Sequence, residues 1–322
     1  ELPALCHQFI DGTLPADQVS NMMNYMAQAG VSGAPSAANC QAYLEVFNQG
    51  VHFAFIASVV AMLISLVIFL TQKKKFPTPG KKEAAGAVSY TAEEKATMAK
   101  EIKQRMYALF AVLGVVIFFW FSFHQNGVSL SFFARDFVKT GQFPPEFWQA
   151  VNPFFVIVLT PVIMAIFGSM SKRGKEISTP RKIAIGMFIA GLAYAFLAIF
   201  SMVKGYPSGE AFVAIDATTR EAMKAGAWVM IVTYFLLTVA ELFISPLGLS
   251  FVSKVAPKSM LGLCQGLWLG TTAVGNMLLP LGALMYNKID LWQCWGVFII
   301  VCFISMGVML GMVKWLERVT KA

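Results

Sequence analysis

The chain has 322 residues, of which 57% are apolar and only 13% charged, and its mean hydropathy is +0.65. A soluble domain carries about 25% charged residues, so this composition excludes an ordinary water-soluble protein. The net charge of +8 could suggest nucleic acid as a partner, but the placement of the charges argues against it. The apolar residues fall in seven runs, near 52–71, 107–132, 149–170, 183–203, 227–251, 262–286 and 292–314. Each is close to or above the ~20 residues needed to cross a hydrocarbon layer of roughly 30 Å. The fold class expected is therefore an all-α integral membrane protein with seven transmembrane helices, in contact with a lipid bilayer.

Residues 1–50 are too polar to span and read as an extracytoplasmic loop segment. They lack the basic and apolar regions of a signal peptide. Pro15 to Ala29 reads as a helix, with Pro15 at the start, Gly30 at the stop, and Val19, Met22, Met23 and Met26 on one packing face. Cys6 and Cys40 both lie in this segment. In a periplasmic setting they could form a disulfide, and two free thiols is the alternative. Residues 51–71 form the first span. Residues 72–106 read as a cytoplasmic linker, rich in Pro, Gly, Ala and Lys over Phe76–Ala92 and helical from Glu93. Residues 107–322 hold the remaining six spans.

Lys and Arg are distributed unevenly among the connections. Nine lie between Gln72 and Arg105, five between Ser171 and Lys182, and Lys254, Lys258, Lys314, Arg318 and Lys321 fall on the same side, 19 in all; the other side has six, and the first 50 residues none. The positive-inside rule then puts the first residues outside and the C-terminus in the cytoplasm, which an odd number of spans requires. A chain starting outside without a signal implies that one or more spans precede Glu1, a processed signal being the alternative.

Two ionisable groups lie deep in the spans, His124 in "FFWFSFHQNGVSL" and Glu241 in "TYFLLTVAELFISPLGLS". A charge at the centre of a membrane helix costs roughly 2.5–3.5 kcal/mol on insertion scales, so it is expected to face a partner or a wet cavity. Pro246 withholds a backbone N–H from the Leu242 carbonyl, and Ser245 and Gly248 add a small hydroxyl and flexibility. A carboxylate, a freed carbonyl and a hinge thus occur within two turns, the pattern of a broken helix lining a transporter cavity. Burial disfavours the charged carboxylate, so Glu241 can take either a proton or a cationic amine. A structural carboxylate bonded to a neighbouring helix is the alternative. His124 stands beside Gln125, Asn126 and Gly127, either as a proton-responsive group or as a satisfied structural histidine. There are no paired intramembrane histidines, no H-E-x-x-H, no G-x-S-x-G and no phosphate loop, so enzymatic catalysis is not expected, nor a metal or organic cofactor.

The stretch "YFLLTVAELFISPLGLSFVSKVAPKSMLGLCQGLWLGTTAVGN" resembles the tenth and eleventh helices of the proton-coupled oligopeptide transporters of the major facilitator superfamily. "FPPEFWQAVNPFF" is similar to that family's entry to helix eight and "FFWFSFHQNGVSLSFFARD" to helix seven. The resemblance makes the seven spans helices six to twelve of a twelve-helix fold. It implies proton-driven uptake of di- and tripeptides by alternating access, with protons as the coupling ion and a bacterial inner membrane as the setting. Another small anion or zwitterion as substrate, or a non-transporting membrane sensor, are the alternatives.

By position, the resemblance makes Glu241 the contact for the peptide amino terminus, assisted by Asn152. Trp268 and Thr272 would line the pocket near the cytoplasmic gate, with Trp120 an aromatic pocket residue and Ser245 beside the hinge at Pro246. Asp136 would belong to the outer gate. The coupling candidates are Glu241 and His124. Relatives often carry an acidic residue where this chain has His124, so the charge logic there is reversed. The family's helix-one E-x-x-E-R motif and its carboxylate-binding basic residues would lie upstream, in an N-terminal helical bundle acting as partner.

Overall fold

A computed structural model describes residues 2–31, 33–73, 92–139, 145–175, 177–257 and 260–321. Two compact units emerge, Glu1–Lys81 and Lys82–Ala322. Much of the expected linker over 72–106 lies outside the described residues. The chain is helical again from Ala92.

The first unit holds α1 (Leu2–Ile10), α2 (Val19–Gln28) and α3 (Ala37–Gln72). The expected Pro15–Ala29 helix is split, its first turn being a 3-10 turn at Ala16–Gln18. It stops as expected at Gly30, whose φ of 72° is the left-handed conformation that suits glycine. Ser36 caps α3 by accepting the Asn39 N–H at 3.2 Å. The α3 helix begins fourteen residues before the apolar run because nothing in 37–50 breaks it. Leu2 and Cys6 of α1, Met22 and Met26 of α2, and Cys40 and Leu44 of α3 form a small core, one i,i+4 pair from each helix. Met23 departs from the expected packing face and is 50% exposed, since it lies 100° around α2 from Met22.

Among the described residues seven helices are long and apolar enough to span, and the second unit carries six of them. The first is α4 (Ala92–Phe123), a 3-10 turn at His124–Gly127, and α5 (Ser129–Phe137). Then come α6 (Val151–Lys172), α7 (Thr179–Lys204), the short α8 (Gly209–Val213) and α9 (Ala217–Met223), α10 (Trp228–Leu242) with α11 (Ser245–Val255), α12 (Leu261–Met277) with α13 (Leu279–Lys288), and α14 (Leu291–Lys321). Pro180 opens α7, where its missing N–H costs nothing, and left-handed Gly205 closes it.

The unbroken α7 and α14 pack along one another and make the backbone of the bundle. α10 lies against α7 and α6 against α10, while α4 packs on both α12 and α14. An aromatic cluster fills one end, with the Phe137 ring 4.0 Å from Phe212 and 4.6 Å from Tyr206. A short bridge closes the same end, Ala225 N–H donating to Phe137 C=O at 2.7 Å and Lys139 N–H to Ala225 C=O at 2.8 Å. Among the described residues, three spans are interrupted, at 124–127, 243–244 and 278. These interruptions bring the polar residues of the site together.

Candidate functional site

Glu241 is the penultimate residue of α10, just before the interruption. Pro246 opens α11 and has no N–H for the Leu242 carbonyl; the Glu241 carbonyl is instead met by the Ile244 N–H at 2.9 Å, a tightened turn. The close approach of α7 supports this turn. A methyl on Gly186 would lie 2.7 Å from Ile244 Cγ1 and 2.9 Å from the Ala240 carbonyl. The break therefore rests on a tightly packed support.

The Glu241 carboxylate is half-buried, and Asn152 Nδ2 donates to its Oε2 at 3.1 Å. Asn152 stands in the first turn of α6, where the following Pro153 is tolerated. Its side-chain carbonyl faces Thr238 Oγ1 at 2.5 Å, and the same hydroxyl lies 2.7 Å from the Tyr234 carbonyl. The Asn152 amide is thereby oriented with its donor toward the carboxylate. Among the described residues no Lys or Arg pairs with Glu241. The carboxylate is held by neutral groups and retains acceptor capacity for a cation or a proton.

Tyr234, on the same face two turns earlier, is fully buried and donates its hydroxyl to the Asn126 carbonyl at 2.9 Å. This ties α10 to the 3-10 turn bearing His124. The imidazole stacks on Trp120 with ring centroids 5.0 Å apart and 14° between planes. His124 Nδ1 and Trp120 Nε1 are buried with no hydrogen-bond partner among the described residues. The next residue, Gln125, accepts from Ser129 Oγ at 2.7 Å and donates to the Leu279 carbonyl at 3.4 Å, just past the interruption in the α12–α13 span. Two interrupted spans are thus joined at this level.

The other sequence candidates fall into separate places. Trp268 is 2% exposed with its indole against Gly248 of α11, where any side chain would collide with the ring. Trp120 packs against Gly275 of α12, close enough that a methyl there would lie 2.8 Å from its Cβ. Thr272 is half-buried one turn after Trp268, and Ser245 is half-buried at the start of α11. Asp136 lies apart from this group at the end of α5. Arg135 Nε and Nη2 donate to its two oxygens at 2.7 and 2.9 Å, and buried Tyr286 donates to Oδ2 at 2.9 Å. Cys6 and Cys40 are free thiols in this structure, both buried in the core of the first unit. The residue that sequence reasoning passed over is Thr238, although it sits at the i−3 spacing from Glu241 that places two side chains on one helix face.

The sequence profile of the POT family (PTR2) matches residues 80–294. The dipeptide and tripeptide permease B of Salmonella typhimurium is 28% identical over 231 residues, covering 67% of this chain and 44% of the relative. Permease A of the same organism is 32% identical over 199 residues, covering 61% and 36%. The chain thus spans less than half the length of these relatives. A crystal structure of a POT peptide transporter in complex with sulfate aligns over 96% of this chain and 56% of the other, with a TM-score of 0.58 at 18% identity. A POT family transporter in complex with 5-aminolevulinic acid aligns over 84% and 54%, with a TM-score of 0.56 at 18% identity. The backbone similarity shows the same helical membrane fold, and the profile match covers well over half of the sequence: the chain belongs to the POT family.

Proposed function

We propose that the chain is the C-terminal part of a secondary transporter that takes up di- and tripeptides with protons by alternating access, in the bacterial inner membrane. Its first residues face outward and its C-terminus the cytoplasm, in accord with the 19-to-6 bias of Lys and Arg. The observation that carries the reading is the Glu241 carboxylate, steered by Asn152 and without a cationic partner among the described residues, at the break of a spanning helix. The permease names of the relatives favour transport over catalysis.

In this reading the peptide ammonium binds Glu241, while the carboxylate end is held by basic groups of a partner bundle. Thr272 and Ser245 line the peptide's path, backed by the buried Trp120 and Trp268. A proton and an ammonium compete for this one carboxylate, so co-transport requires the coupling proton to be held on another group while the peptide amine occupies Glu241. The half-helix α11, opening at Pro246 with Gly248 against Trp268, is the element that changes angle as access alternates, and Asp136 belongs to the outer gate. His124 provides a second proton site.

Glu241→Gln keeps the shape of the side chain and removes its charge. We expect it to abolish proton-driven uptake of a labelled dipeptide in proteoliposomes while leaving the protein folded; normal uptake would overturn the reading. His124→Gln is expected to shift the pH profile of uptake, and an unchanged rate and profile would make His124 structural. Because one relative binds 5-aminolevulinic acid, a small amine-bearing acid, a related zwitterion is the second reading. Competition by unlabelled di- and tripeptides separates the two.

A further inference from the structure

We propose that Cys6 and Cys40 form an intramolecular disulfide that staples the three-helix unit at the start of the chain. Both cysteines have 0% exposure and belong to one six-residue core, Cys6 one turn from Leu2 on α1 and Cys40 one turn from Leu44 on α3. α1 packs directly on α3, and the two cysteines are free thiols buried in the core that these helices share. The other cysteines, Cys264, Cys294 and Cys302, belong to the core of the second unit.

Two independent features favour oxidation. Six buried side chains make a small core, and small units that cannot bury enough apolar surface are commonly held by a cross-link. The unit also carries no Lys or Arg in its first 50 residues, the signature of a segment outside the cytoplasm, where disulfides persist. This second argument rests on the outward placement proposed above.

The oxidant is an external disulfide, of a small molecule or of a thiol oxidoreductase. One cysteine thiolate attacks it, expelling a thiolate and forming a mixed disulfide. The second cysteine attacks the protein-side sulfur and expels the other half. Two protein thiols become one disulfide, and the oxidant takes up the two electrons as two thiols. Burial and the neighbouring Cys40 push the Cys6 thiol up to about 12, so in the closed unit little thiolate is available to attack. The exchange therefore belongs to the folding chain, before α1 closes on α3. Once formed, the bond is sheltered from reductants by the same burial.

The sequence provides a direct test, because Met22, Met23 and Met26 lie between the two cysteines. Cells expressing the complete reading frame are treated with N-ethylmaleimide to block free thiols, and the purified protein is cleaved with cyanogen bromide. The expected result by mass spectrometry is one species in which the Cys6 fragment is joined to the Cys40 fragment, separating on reduction with a gain of two hydrogens. In Cys40→Ser the two fragments are expected to separate without reductant. Separate fragments each bearing a maleimide, or either fragment joined to another cysteine, would overturn the proposal. The readout does not depend on uptake, so it stands or falls apart from the Glu241→Gln result. A membrane-impermeant maleimide on Thr13→Cys in intact cells independently reports which side the unit faces.

Discussion

At the scale of single residues, the site depends on the orientation of one amide. Asn152 receives Thr238 at its carbonyl end and gives its N–H to Glu241. A hydrogen bond to a charged group contributes about 1.5–3 kcal/mol, so Asn152→Ala is expected to reduce dipeptide uptake at limiting substrate by roughly tenfold or more. Asn152→Asp should be worse, because it sets a second carboxylate against the first. Initial rates in proteoliposomes check both, and wild-type rates for Asn152→Ala would show that the amide does not steer the carboxylate. The glutamate was legible in the sequence because a lone carboxylate in an apolar span is costly. Thr238 was not, because a threonine inside a helix ordinarily bonds the carbonyl four residues back. It does so here with Tyr234, and only the arrival of α6 reveals its second acceptor.

At the scale of elements, the interruptions matter more than the helices. The break after Glu241 was readable from Pro246. The turn at His124–Gly127 was less so, for no proline marks it. Its stability comes from contacts distant in sequence, Tyr234 reaching Asn126 and Gln125 reaching Leu279. The fit of Trp268 against Gly248 likewise joins residues on different helices. Overpacking a filled position costs about 1–3 kcal/mol. Gly248→Ala is therefore expected to lower the thermal unfolding midpoint in detergent and slow uptake, and Trp268→Phe in the same background should recover part of the loss. No change in Gly248→Ala would mean that the indole is free to move aside.

At the scale of the whole molecule, the number of expected spans was set by hydropathy alone, and among the described residues the structure has seven helices long and apolar enough to cross a membrane. What hydropathy could not indicate is which of them support the others. α7 and α14 read much like their neighbours, yet their mutual packing provides the support on which the broken spans rest. The orientation proposed from the Lys and Arg bias predicts that a protease-sensitive tag after Ala322 is cut in inside-out vesicles and spared in intact cells. The opposite pattern would reverse the assignment of the faces.

The length of α3 has a mechanical meaning. Its 36 residues run without interruption from Ala37 to Gln72, about 54 Å at 1.5 Å per residue, against a hydrocarbon layer of roughly 30 Å. One continuous helix is therefore long enough to cross the layer and to extend about 24 Å beyond it. With no break along its length, a tilt or rotation of the small unit is passed on to the apolar segment of the same helix.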